Sequence, residues 1–283
     1  MKEALFYEAL SDRKVHCQLC PQECVIPPEK TGFCRVRQNK EGKLCSLIYE
    51  RITSLSLDPI EKKPLYHFHP GEYILSLGTR GCNLACLFCQ NWSISQNDKA
   101  PLESISAEEI IAQAEKHKSF GIAYTYNEPF IWYEFVLDTA ILARAKGLEN
   151  VLVTNGFINP VPLAKLLPYI QAMNIDLKSI EDDFYRKYCR GRLEPVLTTI
   201  KTAHQFCHIE LTNLVIPGLN DKEDNFIKLV DWIYANLGSG VPLHLSRYFP
   251  CYKADFPPTP LETLESAAEI ARKKLKYVYL GNV

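Results

Sequence analysis

Leu75-Ser-Leu-Gly-Thr-Arg-Gly-Cys82-Asn-Leu-Ala-Cys86-Leu-Phe-Cys89-Gln-Asn-Trp92 is the stretch whose reading decides the fold and the chemistry of this chain. Its start belongs to an apolar, strand-like run over Tyr73–Leu77, and a C-x3-C-x2-C loop follows at once. A structural zinc site prefers four closing ligands, and a two-cysteine redox motif needs no third. Three thiolates at this spacing suit three irons of a cubane cluster and leave the fourth iron without a protein ligand. An iron of that kind is free to bind and reduce a small molecule. The blander alternative is a zinc knuckle completed by a distant Cys or His.

Downstream of this loop, short apolar strands alternate with amphipathic helices. Strands are predicted at Tyr73–Leu77, Gly121–Thr125, Asn150–Val153, Ala172–Asp176, His208–Val215, Leu243–Leu245 and Tyr277–Leu280. Helical periodicity appears over 107–118, 130–146, 225–237 and 262–274. This βα alternation predicts an α/β fold with a parallel sheet, wound by right-handed crossovers into an open arc or barrel. Chemistry in such folds collects where strands end and loops begin. Upstream, residues 1–71 have a different texture and form a cysteine-rich segment and connector, with 72–283 as the core domain. Within 1–71, residues 1–14 read as a short amphipathic helix, Cys45–Tyr49 as a strand, and 58–71 as an extended connector rich in proline.

The chain has 283 residues, 47% of them hydrophobic and 23% charged, and a formal net charge of −1 from 32 basic and 33 acidic side chains. That balance argues against broad nucleic-acid backbone binding, although Arg35, Arg37, Lys40 and Lys43 cluster locally. No signal peptide or membrane-length apolar run is apparent, so a cytoplasmic protein is expected. Eleven cysteines are present, and the odd count does not suit a secreted disulfide scaffold. Clustered thiols in a reducing compartment point instead to metal–sulfur chemistry.

The C-x3-C-x-aromatic-C pattern after the first core strand resembles the signature of the radical S-adenosylmethionine (SAM) superfamily. The resemblance implies a partial (β/α)6-type barrel with a [4Fe–4S] cluster on Cys82, Cys86 and Cys89. It implies SAM chelated to the open iron and cleaved by one electron to methionine and a 5′-deoxyadenosyl radical that abstracts hydrogen. Phe88 matches the aromatic position flanking the adenine. Tyr124-Thr-Tyr-Asn127-Glu128-Pro129 resembles the segment that holds the SAM amino group, with both of its glycines replaced, so Asn127 and Glu128 are candidates. Thr154 and Asn155 form a polar turn at the same mouth. Asn174-Ile-Asp176-Leu-Lys178 resembles the DLK segment of glycyl-radical-enzyme activases, which places Asp176 and Lys178 at SAM. Ile216 matches an apolar position near the adenine, and His244 a carboxylate-binding histidine.

Taken with Cys17-x2-Cys20-x3-Cys24-x9-Cys34 and the 58–71 connector, these motifs resemble the AmmeMemoRadiSam-system radical SAM proteins, which are similar to pyruvate formate-lyase activating enzymes. The resemblance implies genomic association with Memo-like and AMMECR-like proteins, an electron donor such as flavodoxin or ferredoxin, and a possible protein substrate. It also implies a C-terminal C-x2-C element that the residues up to Val283 do not include. Cys17, Cys20, Cys24 and Cys34 form a second candidate metal site for zinc or a second cluster; the competing reading is buried thiols packed as small hydrophobes. Two other function classes remain open. One is a non-catalytic zinc or iron–sulfur scaffold for a protein partner; the other is a radical SAM modifier of a small molecule or nucleic acid.

Overall fold

A computed structural model describes all 283 residues. Eight strands form one sheet: β1 (Ser54–Pro59), β2 (Tyr73–Gly78), β3 (Gly121–Tyr124), β4 (Glu149–Thr154), β5 (Ala172–Asp176), β6 (His208–Val215), β7 (Leu243–Arg247) and β8 (Val278–Gly281). They lie in sequential order, and every neighbouring pair from β2 to β8 is parallel. The register sets Asp176 opposite Thr212, and Thr212 opposite His244, so side chains from different strands meet at one level. All seven strands predicted from the sequence are present, within three residues at each end. The antiparallel edge strand β1 is additional. Because it pairs with β2, the sheet begins upstream of the boundary expected at residue 72.

The crossovers carry α1 (Ala107–Lys116), α2 (Tyr133–Ala145), α3 (Pro160–Leu166), α4 (Leu193–His204), α5 (Glu223–Leu237) and α6 (Leu261–Arg272). Helix α1 starts where Ser106 and Glu109 form a reciprocal capping box, satisfying two otherwise orphaned amides. It buries Ile110, Ile111 and Ala114 and leaves its charged residues exposed. This is the periodicity that made the helix readable.

Residues 1–14 are not a helix. Lys2–Glu3 pairs with Lys43–Ser46, and Tyr7–Ala9 pairs with Val15–Cys17, each strand belonging to a separate three-stranded antiparallel sheet. Phe6, Asp12 and Arg13 have positive φ, which a helix does not tolerate. Pairing with distant segments outweighs the weak local periodicity. The strand expected at Cys45–Tyr49 runs instead over Lys43–Ser46.

The connector is more than a spacer. After β1 it makes a short 3-10 turn at Ile60–Lys62 and folds against the barrel. Ile60 and Leu65 are fully buried against Ile74, Ala123, Val151 and Ala172. Asn174 Nδ2 donates to the Pro64 carbonyl (2.8 Å), and the His67 amide donates to Glu210 (2.7 Å). The connector therefore plugs the barrel, and its apolar and polar anchors both come from inward-facing strand residues.

Candidate active site

The strand C-termini open into a cavity of about 1360 Å³, counting its mouth. Cys82, Cys86, Cys89 and Phe88 line it from the loop after β2, and Asn127 and Glu128 from the loop after β3. Thr154, Asn155, Asp176 and Lys178 complete the group supplied by the ends of β4 and β5. The structure thus brings together nearly every residue selected from the sequence.

The three thiols sit among donors suited to thiolates. The Leu84 amide donates to Cys82 Sγ (3.4 Å), Asn155 Nδ2 lies 3.6 Å from the same sulfur, and Cys89 Sγ lies 3.1 Å from Ser95 Oγ. Burial pushes Cys82 and Cys89 up from the ordinary thiol range. Cys86 is different: a hydrogen bond from Cys189 holds it below that range against its own burial, and Lys178 helps. Sulfur-directed donors of this kind tune and orient cluster ligands. No three His, Cys, Asp or Glu side chains are closed around the position of a single metal ion.

Glu128 is buried and ties the segment after β3 to the end of β4. It accepts from the Phe130 amide (3.0 Å), the Thr154 hydroxyl (2.7 Å) and the Asn155 amide (2.8 Å). Burial nevertheless pushes its carboxyl up to about 7. Asn127 faces back toward the cluster loop, accepting from the Thr79 amide and donating to the Gly81 carbonyl. Gly81 has φ +90°, and a Cβ there would stand 2.7 Å from the Cys34 carbonyl oxygen. Only glycine permits that approach, which seats the cysteine loop against the N-terminal segment.

The sequence matches the radical SAM superfamily over residues 76–230, the span that supplies the cluster loop and most of the cavity. The chain belongs to the radical SAM superfamily. Radical SAM proteins use a [4Fe–4S] cluster and SAM, and the cavity described above fits both. An uncharacterized protein of Methanocaldococcus jannaschii is 48% identical over 288 residues, covering 100% of this chain and 86% of that protein. The (2S)-3-sulfopropanediol dehydratase activating enzyme of Klebsiella oxytoca is 26% identical, covering 78% of this chain and 71% of its own. The pyruvate formate-lyase-activating enzyme of Staphylococcus epidermidis is 24% identical over 58% of this chain and 70% of its own. Among solved structures, Streptococcus suis SuiB bound to SAM superposes with a TM-score of 0.57 at 15% identity, covering 74% of this chain and 51% of that one. That likeness concerns the fold. No helix of this radical SAM protein is long and apolar enough to cross a membrane.

Two residues chosen from the sequence do not line the cavity. Ile216 is fully buried, its amide held by Asn220 Oδ1, and Leu214 two residues earlier takes the lining position on β6. His244 lies deeper in the barrel, 2.6 Å from Glu210 Oε2 and edge-on to Tyr66 of the connector. Its strand was identified correctly, but its partner is a carboxylate of the protein itself. Burial would raise Glu210, but hydrogen bonds from His208, His244 and the amides of His67 and Tyr66 outweigh it and hold the carboxyl at about 2. With the folded value below the ordinary 4.5, the stabilisation is present above that pH and is lost as pH falls toward 2. Such a shift is worth about 3 kcal/mol. Glu210→Gln should therefore remove that part of the acid sensitivity, seen as a smaller fall in urea midpoint between about pH 5 and 3 than in the parent. Parallel acid profiles would place the sensitivity elsewhere.

Several lining residues lie outside the sequence motifs. Lys63 is buried and paired with Asp58 (2.7 Å), and Tyr126 donates to the same carboxylate (2.6 Å). Thr212, Ser246 and Asn282 also reach the cavity. Charged residues between prolines in the connector were the available hint for Lys63, since exposed lysines need no such rigid frame.

Proposed function

We propose that this protein cleaves SAM reductively and abstracts a hydrogen atom from a partner protein, as a glycyl-radical-enzyme activase of the AmmeMemoRadiSam-like group. The observation that carries the reading is the confluence of Cys82, Cys86 and Cys89 with the Asp176–Lys178 pair (2.7 Å) in one wide, open cavity. When bound, the cluster supplies the electron that divides SAM into methionine and a 5′-deoxyadenosyl radical. The chain's own residues bind and orient. Lys178 is held charged: Asp176 and the neighbouring thiols outweigh the burial that would lower it. It is the group available to a carboxylate, and Asp176, which balances it, would accept from a ribose hydroxyl. Glu128 lines the cavity, and its Oε2, which accepts only one hydrogen bond, would take an ammonium. Phe88 and Leu214 offer apolar faces to a purine.

Similarity to two activating enzymes supports a protein substrate. So does the rim. Trp92, just past the cysteine loop, is 44% exposed and stacks on Tyr252, and Phe249 nearby is 43% exposed with Arg247 over its ring. Aromatic and arginine side chains of this kind anchor macromolecular partners.

The deciding experiment divides an anaerobic extract of the source organism by size. The macromolecular fraction should stimulate 5′-deoxyadenosine formation and acquire a protein-borne radical by electron paramagnetic resonance. Stimulation by the low-mass filtrate alone would give the reaction to a small-molecule substrate. At the SAM site, Lys178→Ala should keep the cluster spectrum and weaken SAM at least tenfold, about 1.4 kcal/mol. His244→Ala should leave SAM affinity within about twofold while lowering the melting temperature, because it strips a partner from buried Glu210. Equal SAM losses in the two variants would contradict the assignment of His244 to the barrel interior.

A further inference from the structure

The four N-terminal cysteines, unused by the cavity chemistry, come together in the folded chain. Cys17, Cys20, Cys24 and Cys34 line one small enclosed pocket with Leu19, Ile26 and Arg37. Cys17 and Cys20 bracket one turn, Cys24 precedes the short strand Val25–Ile26, and Cys34 arrives from the following loop. Packing alone would explain three buried thiols and a partly buried fourth, but not their convergence on one pocket with a backbone amide aimed at one of them. The Phe33 amide donates to Cys24 Sγ (3.3 Å).

A backbone amide likewise donates to a thiol in the cluster loop, from Leu84 to Cys82 Sγ (3.4 Å). A neutral buried thiol is a poor acceptor and makes little use of such donors; a metal-bound thiolate is stabilised by them. Arg37, 1% exposed, lines the same pocket.

We propose that Cys17, Cys20, Cys24 and Cys34 form a second, thiolate-ligated metal centre, holding either one zinc-type ion or a small iron–sulfur cluster. Four thiolates carry charge that their buried pocket cannot solvate, and a cationic metal core neutralises it. The sulfurs are not closed around one ion as they stand, so binding draws them together. The centre has a structural task that the contacts make plain. Gln22 Nε2 donates to the carbonyls of Asn83 (2.9 Å) and Arg190 (2.8 Å), and the Cys34 carbonyl packs on Gly81. Asn83 and Gly81 flank Cys82. Fixing the quartet therefore fixes the back of the loop that ligates the catalytic cluster. This inference stands apart from the proposed substrate.

The test uses the full chain carrying Cys82→Ala, Cys86→Ala and Cys89→Ala, which removes the catalytic ligands and leaves the second site alone. After purification in parallel from zinc-supplemented and iron-supplemented cultures, metal and sulfide are counted. About one zinc per chain identifies a single-ion site, and about four irons with sulfide a cluster; either supports the proposal. Chelation should then expose Cys17, Cys20, Cys24 and Cys34 to alkylation mapped by mass spectrometry, and lower the melting temperature. Adding Zn(II) or Co(II) back should reverse both for an ion site, and Fe(II) with sulfide for a cluster. A folded chain that binds no metal under any loading would overturn the proposal. So would metal that leaves without changing alkylation of the four thiols. In the otherwise unmodified chain, Gln22→Ala should leave the second metal in place and speed iron loss from the catalytic cluster; an unchanged rate would refute the coupling.

Discussion

A chain carrying Cys82→Ala, Cys86→Ala and Cys89→Ala together is expected to fold, to lose the catalytic iron, and to form 5′-deoxyadenosine at least ~10³-fold more slowly than the parent, equivalent to about 4 kcal/mol of barrier. The loss should be that large because the three thiols are the protein's ligands to a cluster that supplies the electron. All three must be changed. The Cys189 thiol neighbours Cys86, and the Cys251 thiol lies 3.6 Å from the Cys89 carbonyl. A single vacancy next to either could recruit the neighbouring sulfur and leave residual cluster. Circular dichroism and iron content should accompany single-turnover assays with SAM and a low-potential reductant. Product formation at the parental rate in a folded, iron-poor triple variant would remove these cysteines from catalysis. The single Cys86→Ala variant is expected to keep more iron than Cys86→Ala/Cys189→Ala, which tests the rescue directly.

The parallel core was legible because its information is local. An apolar run, a turn and an amphipathic helix recur along the chain, and each can be read in a short window. The catalytic cysteines were legible for the same reason: their spacing lies within eight residues. Asp176 and Lys178 followed because a motif at the end of a strand inherits the strand's position. The failures are non-local. Nothing within residues 1–14 says that Lys2 pairs opposite Ser46, so a weak helical pattern stood alone and misled. His244 could be placed on its strand but not given its partner, because Glu210 lies 34 positions away and the two meet only through sheet register. The connector's turn signals were read correctly as non-helical. Its fit into the barrel depends on Asn174 and Glu210, whose inward direction emerges only once the sheet exists. Glu134 offered a clue that went unused: an acidic residue within the apolar run Phe130–Leu137 marks either an exposed helix face or a buried ion pair.

That ion pair carries the largest expected stability effect. Arg37 Nη1 lies 3.0 and 3.2 Å from the two carboxylate oxygens of Glu134, and the side chains are 1% and 2% exposed. Leu5 closes the arrangement, its amide donating to Glu134 (2.8 Å) and its carbonyl accepting from Arg37. Three distant parts of the chain, the N-terminus, the cysteine-rich segment and helix α2, are joined at this point. Removing one charge leaves the other buried with little compensation, which costs about 3–5 kcal/mol. Arg37→Ala should therefore lower stability by that amount in urea titrations and make the N-terminal segment sensitive to brief proteolysis. The pair itself is another matter. Arg37 Nε has no partner, so the desolvation of the guanidinium is only partly offset. Arg37→Met combined with Glu134→Leu should accordingly recover most of the loss, since apolar replacement of a whole buried pair is often neutral. A double-mutant cycle separates these contributions. If Arg37→Ala costs less than about 1 kcal/mol, the pair does not hold the segment in place. If the loss is large and the double variant stays equally weak, the guanidinium acts through Leu5 and the cysteine pocket, and the carboxylate is incidental.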